Sequence, residues 1–411
     1  MILRTLLCCT LAGFAWAAPV RAADHAAHRQ PAAPVKSVTK SAALAVGAAL
    51  DARGHLWLAR VDKGRLKVSR SEDSGMLSDP VAVTAESEIV VADGENWPKI
   101  AVADNGSVHL TWLQGLGKPM AGHIRYARST DGGRSFAPPV IVNDDRQEIS
   151  HRFDSLAIDG KGGVAIVWLD ARERKDRGVK GSPETQVGLY AALSSDGGAR
   201  FGPNRKIAGH SCQCCRTGLT WTADGPVAFW RHVYGRNIRD FSIANLKEGA
   251  LRRVTDDDWL IEACPHHGGG IAADGQGDLH IVWFTQGSRR QGIFYRRVPQ
   301  GDFLRGVAGT DFALGEPVRL GDPARQAGHP AVVAQGARVL VSWREFDGQH
   351  FSAWAMLSTD AGRSWGPAQR LADAAQAADY TVPLIDARRA LVVWNTAAEG
   401  LRVLPLREGT Q

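Results

Sequence analysis

The hydrophobic positions of this chain recur in a two-strand unit that ends in tryptophan. In each copy a short apolar segment is followed by a turn containing Asp, Asn or Gly, and then by a second, β-branched segment. The second segments end at seven tryptophans spaced 51 to 62 residues apart: Trp57, Trp112, Trp168, Trp230, Trp283, Trp343 and Trp394. This period suits blades of four short strands, so the pattern predicts an all-β, seven-bladed propeller. Six blades is the alternative if the first repeat is irregular.

A second motif recurs in the latter half of the unit. The pattern Ser-x-Asp-x-Gly-x-x-Phe/Trp begins at Ser129, Ser194 and Ser358, and a decayed copy begins at Ser71. Its Asp can accept backbone N–H groups, its Gly can adopt a left-handed conformation, and its aromatic side chain can pack between strands. The motif therefore predicts a structural hairpin turn and says nothing about chemistry.

On these repeats and turns the chain resembles the sialidase superfamily of Asp-box propellers, over nearly its whole length. The last repeat stops after its third strand, and we expect residues 35–38 to supply the missing outer strand. Sialidases hold the substrate carboxylate with three arginines and use a Tyr nucleophile, a Glu that activates it and an Asp acid/base. The resemblance implies Tyr380 as nucleophile, Glu262 as its activating group, and Arg152 and Arg216 as anion ligands.

The chain also departs from that family in three respects. Sialidases have six blades, whereas seven repeats are counted here. The inner strand of the first repeat, residues 42–50, lacks the expected Arg, and no Asp acid/base is evident in the early loops. A sialidase-type activity is therefore kept as an alternative, because one fold hosts many functions.

The first residues have the pattern of a secretory signal peptide. Arg4 precedes an apolar run from Leu6 to Val20 that ends in small residues and is too short to span a bilayer. The prediction is a signal peptide at 1–22, a flexible segment at 23–34 and a propeller at 35–411, in a periplasmic or secreted protein with no membrane span. Cleavage lowers the formal net charge from +6 to +4, without a dense basic run that would indicate nucleic-acid binding.

Cysteine and histidine concentrate on the loops that lead into the innermost strand of successive repeats. In a propeller these loops, called channel loops below, lie at one mouth of the central channel. The candidate ligands on four neighbouring channel loops are His151, Cys212, Cys214, Cys215, Cys264, His266, His267 and His329. By contrast, His109 and His280 lie within Trp-ended strands and are expected to be packed structural residues.

Three interpretations of the four cysteines stay open. An exported protein can hold them in disulfides, with Cys212 or Cys214 bridged to Cys264. Thiolates beside imidazoles can instead bind a soft metal ion, and copper is favoured over zinc because the envelope must manage copper. Buried, inert thiols are the third interpretation.

The main functional prediction is an exported propeller with a copper or zinc site that acts in metal binding, acquisition or redox chemistry. Its candidate partners are the metal ion and another envelope metal-handling protein. The alternative is a sialidase-type glycoside hydrolase or glycan-binding propeller whose cysteines form disulfides. Whether the protein is an enzyme is left open.

Overall fold

The computed structural model describes residues 44–84, 88–174, 187–305 and 315–408. The expected signal peptide, the segment at 23–34 and the strand expected at 35–38 lie outside these residues. In the described part of the chain, no helix has the length and apolar character needed to cross a bilayer.

The strands form antiparallel meanders in chain order. The first meander contains β1 (Gly47–Leu50), β2 (Leu56–Asp62), β3 (Arg65–Arg70) and β4 (Val81–Ala82). The second contains β5 (Val90–Val91), β6 (Lys99–Val102), β7 (Val108–Gly115), β8 (Gly122–Ser129) and β9 (Val140–Ile141). The third contains β10 (His151–Ile158), β11 (Val164–Asp170), β12 (Val187–Ser194) and β13 (Arg205–Ser211). The fourth contains β14 (Gly218–Thr222), β15 (Gly225–Tyr234), β16 (Ile238–Asn245) and β17 (Leu251–Arg253).

Three further meanders complete the described chain. The fifth contains β18 (Gly270–Ala273), β19 (Leu279–Gln286), β20 (Gln291–Val298) and β21 (Val318–Leu320), with a short helix α1 (Gln300–Arg305) after β20. The sixth follows a 3₁₀ turn (Pro323–Arg325) and contains β22 (Gly328–Gln335), β23 (Arg338–Phe346), β24 (Phe351–Ser358) and β25 (Gln369–Ala374). The seventh contains β26 (Val382–Ile385), β27 (Ala390–Thr396) and β28 (Gly400–Pro405).

The innermost strands of the meanders close into a ring around a central channel. Within the described residues β1, β6, β10, β14, β18, β22 and β26 contact one another in that order, and β26 contacts β1. A bridge between Ser211 and His232 joins the third and fourth meanders into one eight-stranded sheet. The all-β propeller fold is thus confirmed. The ring order supports seven blades, although that count stays a prediction.

The tryptophans of the sequence repeat lie in the core. Each occupies the strand that follows the innermost strand of its meander. Its ring packs where neighbouring meanders meet, and Trp57 and Trp112, for example, share one core cluster. Six are at most 1% exposed: Trp112, Trp168, Trp230, Trp283, Trp343 and Trp394. Truncation of a buried Trp costs about 3–5 kcal/mol, so this repeat is a main source of stability.

The turns formed by the Ser-x-Asp-x-Gly-x-x-Phe/Trp motif, called Asp boxes here, pack each meander against the preceding one. In the third meander the Ser194 hydroxyl donates to Asp196 (2.8 Å) and accepts the N–H of Gly198 (3.0 Å). Gly198 lies against Tyr126 of the second meander, and Phe201 packs edge-on against the same ring at 4.9 Å between centroids. Equivalent contacts join Gly133 to Trp57 and Gly362 to Tyr295. These are the contacts of a structural turn between blades.

Candidate functional site

A buried ion pair joins three channel loops at one mouth of the channel. The backbone N–H of Arg216 donates to Glu95 Oε2 at 2.9 Å, and its Nη1 donates to Oε1 at 3.1 Å. Its Nη2 donates to the carbonyl oxygen of Pro330 at 2.8 Å. The two side chains are only 4% and 8% exposed. The pair therefore fixes loops of the second, fourth and sixth meanders relative to one another.

The channel holds a cavity of about 490 Å³ beside this ion pair. Aliphatic side chains of the innermost strands form most of its wall. Polar and aromatic groups gather where the channel loops enter: Trp97, Lys99, Arg216, His329, Asp379 and Tyr380. A cavity of this size with a few convergent polar groups has the usual properties of a small-molecule site.

Tyr380 is held among rings and guanidinium groups. The His329 ring stacks on it with centroids 3.7 Å apart, and the guanidinium carbons of Arg344 and Arg216 lie 5.1 and 5.8 Å from its centroid. The loop backbone also presses on the ring, because a Cβ at Gly94 would lie 2.6 Å from it. Burial raises the pKa of the Tyr380 hydroxyl and lowers that of His329. Both groups are therefore uncharged at neutral pH.

Two further ionisable groups of the cavity have shifted pKa values. Burial raises the pKa of Asp379 to about 7, so this carboxyl exchanges its proton near neutrality. Burial lowers the pKa of Lys99, whose ammonium lies 3.4 Å from Asp154 and 4.5 Å from the ring centre of Trp97. A carboxyl that titrates near the working pH is suited to general acid–base catalysis.

The residues implied by the sialidase resemblance are only partly brought together. Tyr380 and Arg216 line the cavity, whereas Arg152 lies at the start of β10, with Nη2 3.8 Å from an Asp93 carboxylate oxygen. Glu262 is exposed and lies outside the described cavity lining. The carboxylates whose charges act on Tyr380 are Glu95, with the larger effect, and Asp379. The sequence placed Glu95 on a channel loop but gave no sign that it would meet Arg216.

Three cysteines of the fourth channel loop converge in the interior. Cys212 Sγ lies 3.7 Å from Cys214 Sγ and 3.6 Å from Cys215 Sγ, and all three side chains are at most 2% exposed. Arg239 Nη1 donates to Cys212 Sγ at 3.2 Å. Hydrogen bonds from the two neighbouring thiols, aided by the charge of Arg239, lower the pKa of Cys212 well below its usual value.

A second group of sulfur and nitrogen atoms shares Cys214 with the first. The ligand atoms of Cys214, Cys264 and His266 all lie within 4.8 Å of one another. Cys264 and His266 are exposed, and all four described cysteines are free thiols. A hydrogen bond from Cys214 is the main cause that lowers the pKa of Cys264 to about 6. The predicted convergence of the fourth and fifth channel loops is therefore present in the structure.

The structure separates two predicted histidine ligands from the cysteines. The His267 ring stacks on Phe284 at 3.9 Å and on His329 at 4.3 Å, which continues the stack to Tyr380. Among the described residues neither histidine belongs to a group of three potential ligands. Burial lowers the pKa of His267 to about 2. These rings form a wall beside the cavity, and their side-chain directions could not be deduced from loop position.

His151 belongs to a third, separate cluster. Its Nδ1 donates to the Gly122 carbonyl at 2.8 Å, and its Nε2 lies 3.7 Å from Asp145 and 3.8 Å from Asp170. It is fully buried at the start of β10. In the structure His151 therefore lies in a group with Asp145 and Asp170, apart from the two groups that contain the cysteines.

Several residues at the channel-loop mouth of the propeller have strained backbone conformations. Four non-glycine residues at the channel loops or the strand ends beside them have left-handed φ angles of 49° to 59°: Phe153, His210, His266 and His329. Such conformations are uncommon outside glycine and tend to persist where surrounding structure enforces them, often at functional sites.

Comparison with known proteins identifies the fold. No protein-family model and no curated protein matches the sequence. An ulvan lyase of polysaccharide lyase family PL25, bound to -[GlcA(1-4)Rha3S]-, has a TM-score of 0.52 at 11% identity, over 90% of this chain and 93% of its own. A leech intramolecular trans-sialidase complexed with 2,7-anhydro-Neu5Ac has a TM-score of 0.50 at 9% identity, over 87% and 83%. The chain therefore shares the β-propeller fold of these two proteins.

Proposed function

We propose that the protein binds a glycan in the central cavity and acts on it with Asp379 and Tyr380. The observation that carries this proposal is the convergence of buried polar groups at one end of a cavity of about 490 Å³. Pockets of about 300–1,000 Å³ with few, well-placed polar groups are typical of ligand sites. Trp97 and Tyr380 are aromatic residues of the cavity lining, and Lys99 and Arg216 are its basic residues.

The similar propellers support a carbohydrate as the ligand class. The ulvan lyase is bound to -[GlcA(1-4)Rha3S]-, and the leech trans-sialidase is complexed with 2,7-anhydro-Neu5Ac. These proteins resemble this chain only in fold. Which glycan binds is therefore determined by the residues that line the cavity. We place the activity in the periplasm or outside the cell, in line with the signal peptide predicted from the sequence.

Each proposed chemical role follows from a local environment. Asp379 holds a proton up to about pH 7 because burial disfavours its carboxylate, so it can donate that proton to a leaving group. Tyr380 corresponds to the sialidase nucleophile, but its raised pKa means that it needs a base. Glu95 is the proposed base instead of Glu262, because Glu95 is buried and its charge acts on Tyr380, whereas Glu262 is exposed.

A binding and turnover assay tests the proposal. The protein is offered a panel of neutral, uronic-acid and sialic-acid oligosaccharides, with binding followed by saturation-transfer NMR and cleavage by chromatography and fluorogenic sialosides. Tyr380→Phe should retain binding and lose turnover. The matched control is Tyr190→Phe, which removes a hydroxyl bonded to Glu173 at 2.7 Å outside the cavity, and it should retain both. The proposal would be refuted if the unaltered protein neither bound nor cleaved any of these oligosaccharides. It would also be refuted if the two substitutions had equal effects.

A further inference from the structure

We infer that Cys212, Cys214, Cys215 and Cys264 together bind one thiophilic d¹⁰ cation, Cu(I) or Zn(II), at the channel mouth. This inference stands independently of the proposed glycan activity, since it concerns different side chains. It also narrows the ligand set predicted from the sequence. The proposed site leaves out His151, His267 and His329, which lie in other clusters.

The sulfur spacing is that of a metal–thiolate site. A tetrahedral ion with metal–sulfur bonds of about 2.3 Å places its sulfur ligands about 3.8 Å apart. The distances from Cys212 Sγ to Cys214 Sγ and Cys215 Sγ are 3.7 and 3.6 Å. The sulfurs of Cys212, Cys214 and Cys215 all lie within 4.8 Å of one another and would form one face of the tetrahedron. Cys264, which lies in a second group with Cys214 and His266, is the proposed fourth ligand.

The local sequence explains how the sulfurs converge. Cys212 and Cys215 have the Cys-x₂-Cys spacing common among zinc ligands. Both lie on the loop between β13 and β14, and Val233 of β15 completes their buried cluster. Water is therefore excluded from the inner side of the site, which favours a closed sulfur shell over hydrated coordination.

The surrounding charge fits thiolates better than neutral thiols. Several thiolates around Cu(I) or Zn(II) leave a net negative charge, which a buried site must balance. Arg239 donates to Cys212 Sγ at 3.2 Å. The buried Arg231 guanidinium lies nearby and donates to the main-chain oxygens of Arg239 and His267. Buried cations are costly without an anion, and a metal–thiolate centre supplies one.

Exposure divides the site into an inner part and an outer part. Cys212 and Cys215 are buried, whereas Cys264 and His266 are exposed. His266 lies within reach of the Cys214 and Cys264 sulfurs, so it can replace a thiolate while an ion enters or leaves. Ion exchange therefore proceeds at the outer edge. The broader role in acquisition, transfer or redox chemistry, with an envelope metal-handling partner, stays a prediction.

The decisive experiment measures metal, thiols and coordination on the same preparation. The full mature chain is purified under reducing, oxygen-free conditions and titrated separately with Cu(I) and Zn(II) against chromophoric chelators of known affinity. Metal content is measured by plasma mass spectrometry, and free thiols are counted before and after loading. We expect one ion per chain, release of thiol protons on binding, and, after Co(II) substitution, the visible spectrum of tetrahedral thiolate coordination.

Matched variants keep the test falsifiable if buried substitutions impair folding. Cys214→Ser should weaken binding by at least about 100-fold, as loss of a metal ligand usually does. Cys264→Ser replaces an exposed side chain, leaves folding intact, and should weaken binding about 10-fold or more. His350→Gln, which replaces an exposed histidine between β23 and β24, should bind the metal as the unaltered protein does. Disulfides with no bound ion, or equal binding by Cys264→Ser and the unaltered protein, would overturn the inference.

Discussion

Two adjacent glycines in one Asp box offer a direct test of how the blades are joined. Gly197 and Gly198 both have left-handed backbones, with φ of 67° and 77°. An alanine Cβ at Gly197 would meet nothing closer than 3.6 Å, whereas at Gly198 it would lie 1.8 Å from the Tyr126 hydroxyl. The two substitutions therefore share backbone strain and differ in their contact with the preceding blade.

The expected difference in the free energy of unfolding follows from these contacts. Left-handed strain costs about 1–2 kcal/mol for alanine at either position. At Gly198 the Tyr126 ring must also move, although it is only 2% exposed and its hydroxyl is 2.8 Å from His109 Nδ1. Overpacking costs about 1–3 kcal/mol, and loss of the hydrogen bond adds about 1 kcal/mol. Gly198→Ala should therefore destabilise the protein by about 2–4 kcal/mol more than Gly197→Ala.

Urea unfolding of the two variants and the unaltered protein measures this difference. The slope of the transition should stay constant while the midpoint falls. A double variant, Gly198→Ala with Tyr126→Phe, removes the hydroxyl and leaves a ring carbon at 2.7 Å as the nearest contact. It should recover part of the loss, which a double-mutant cycle would report as coupling. Equal destabilisation by the two alanines, or no coupling to Tyr126, would refute the account of the inter-blade contact.

Two other predictions concern the channel mouth. Glu95→Gln leaves the Arg216 guanidinium buried without its counter-charge and should destabilise the fold by about 3–5 kcal/mol in urea unfolding. The control Glu148→Gln, in the exposed pair with Lys118, should leave the unfolding midpoint unchanged. Equal effects of the two substitutions would contradict the burial assigned to the Glu95–Arg216 pair. Burial raises the pKa of Asp379 from 3.8 to about 7, so the folded state binds this proton more tightly than the unfolded state. The stabilising contribution of protonated Asp379 is complete below about pH 4 and is lost as the pH rises through about 7. Asp379→Asn should therefore flatten this part of the profile of stability against pH. An unchanged profile would contradict the raised pKa of Asp379.

The sequence by itself determined the architecture, because its signals are local and repeated. Strand periodicity placed Trp112 and Trp168 at buried positions, and the Asp-box spacing located the turns at Ser129 and Ser194. His109 was correctly expected to be packed, since its position within a Trp-ended strand directs it between neighbouring sheets. Each of these predictions needs only the alternation of side chains along a strand.

Only the tertiary structure decided which channel-loop residues meet. Glu95 and Arg216 are 121 positions apart, and their pairing depends on closure of the ring across the channel. Loop position alone grouped His329 with the cysteines, but its side-chain direction places it on Tyr380 instead. Cys264 reaches Cys214 because neighbouring blades bring their loops to the same mouth. Periodicity specifies the face on which a residue lies, whereas its partner is set by loop conformation and by the packing of distant strands.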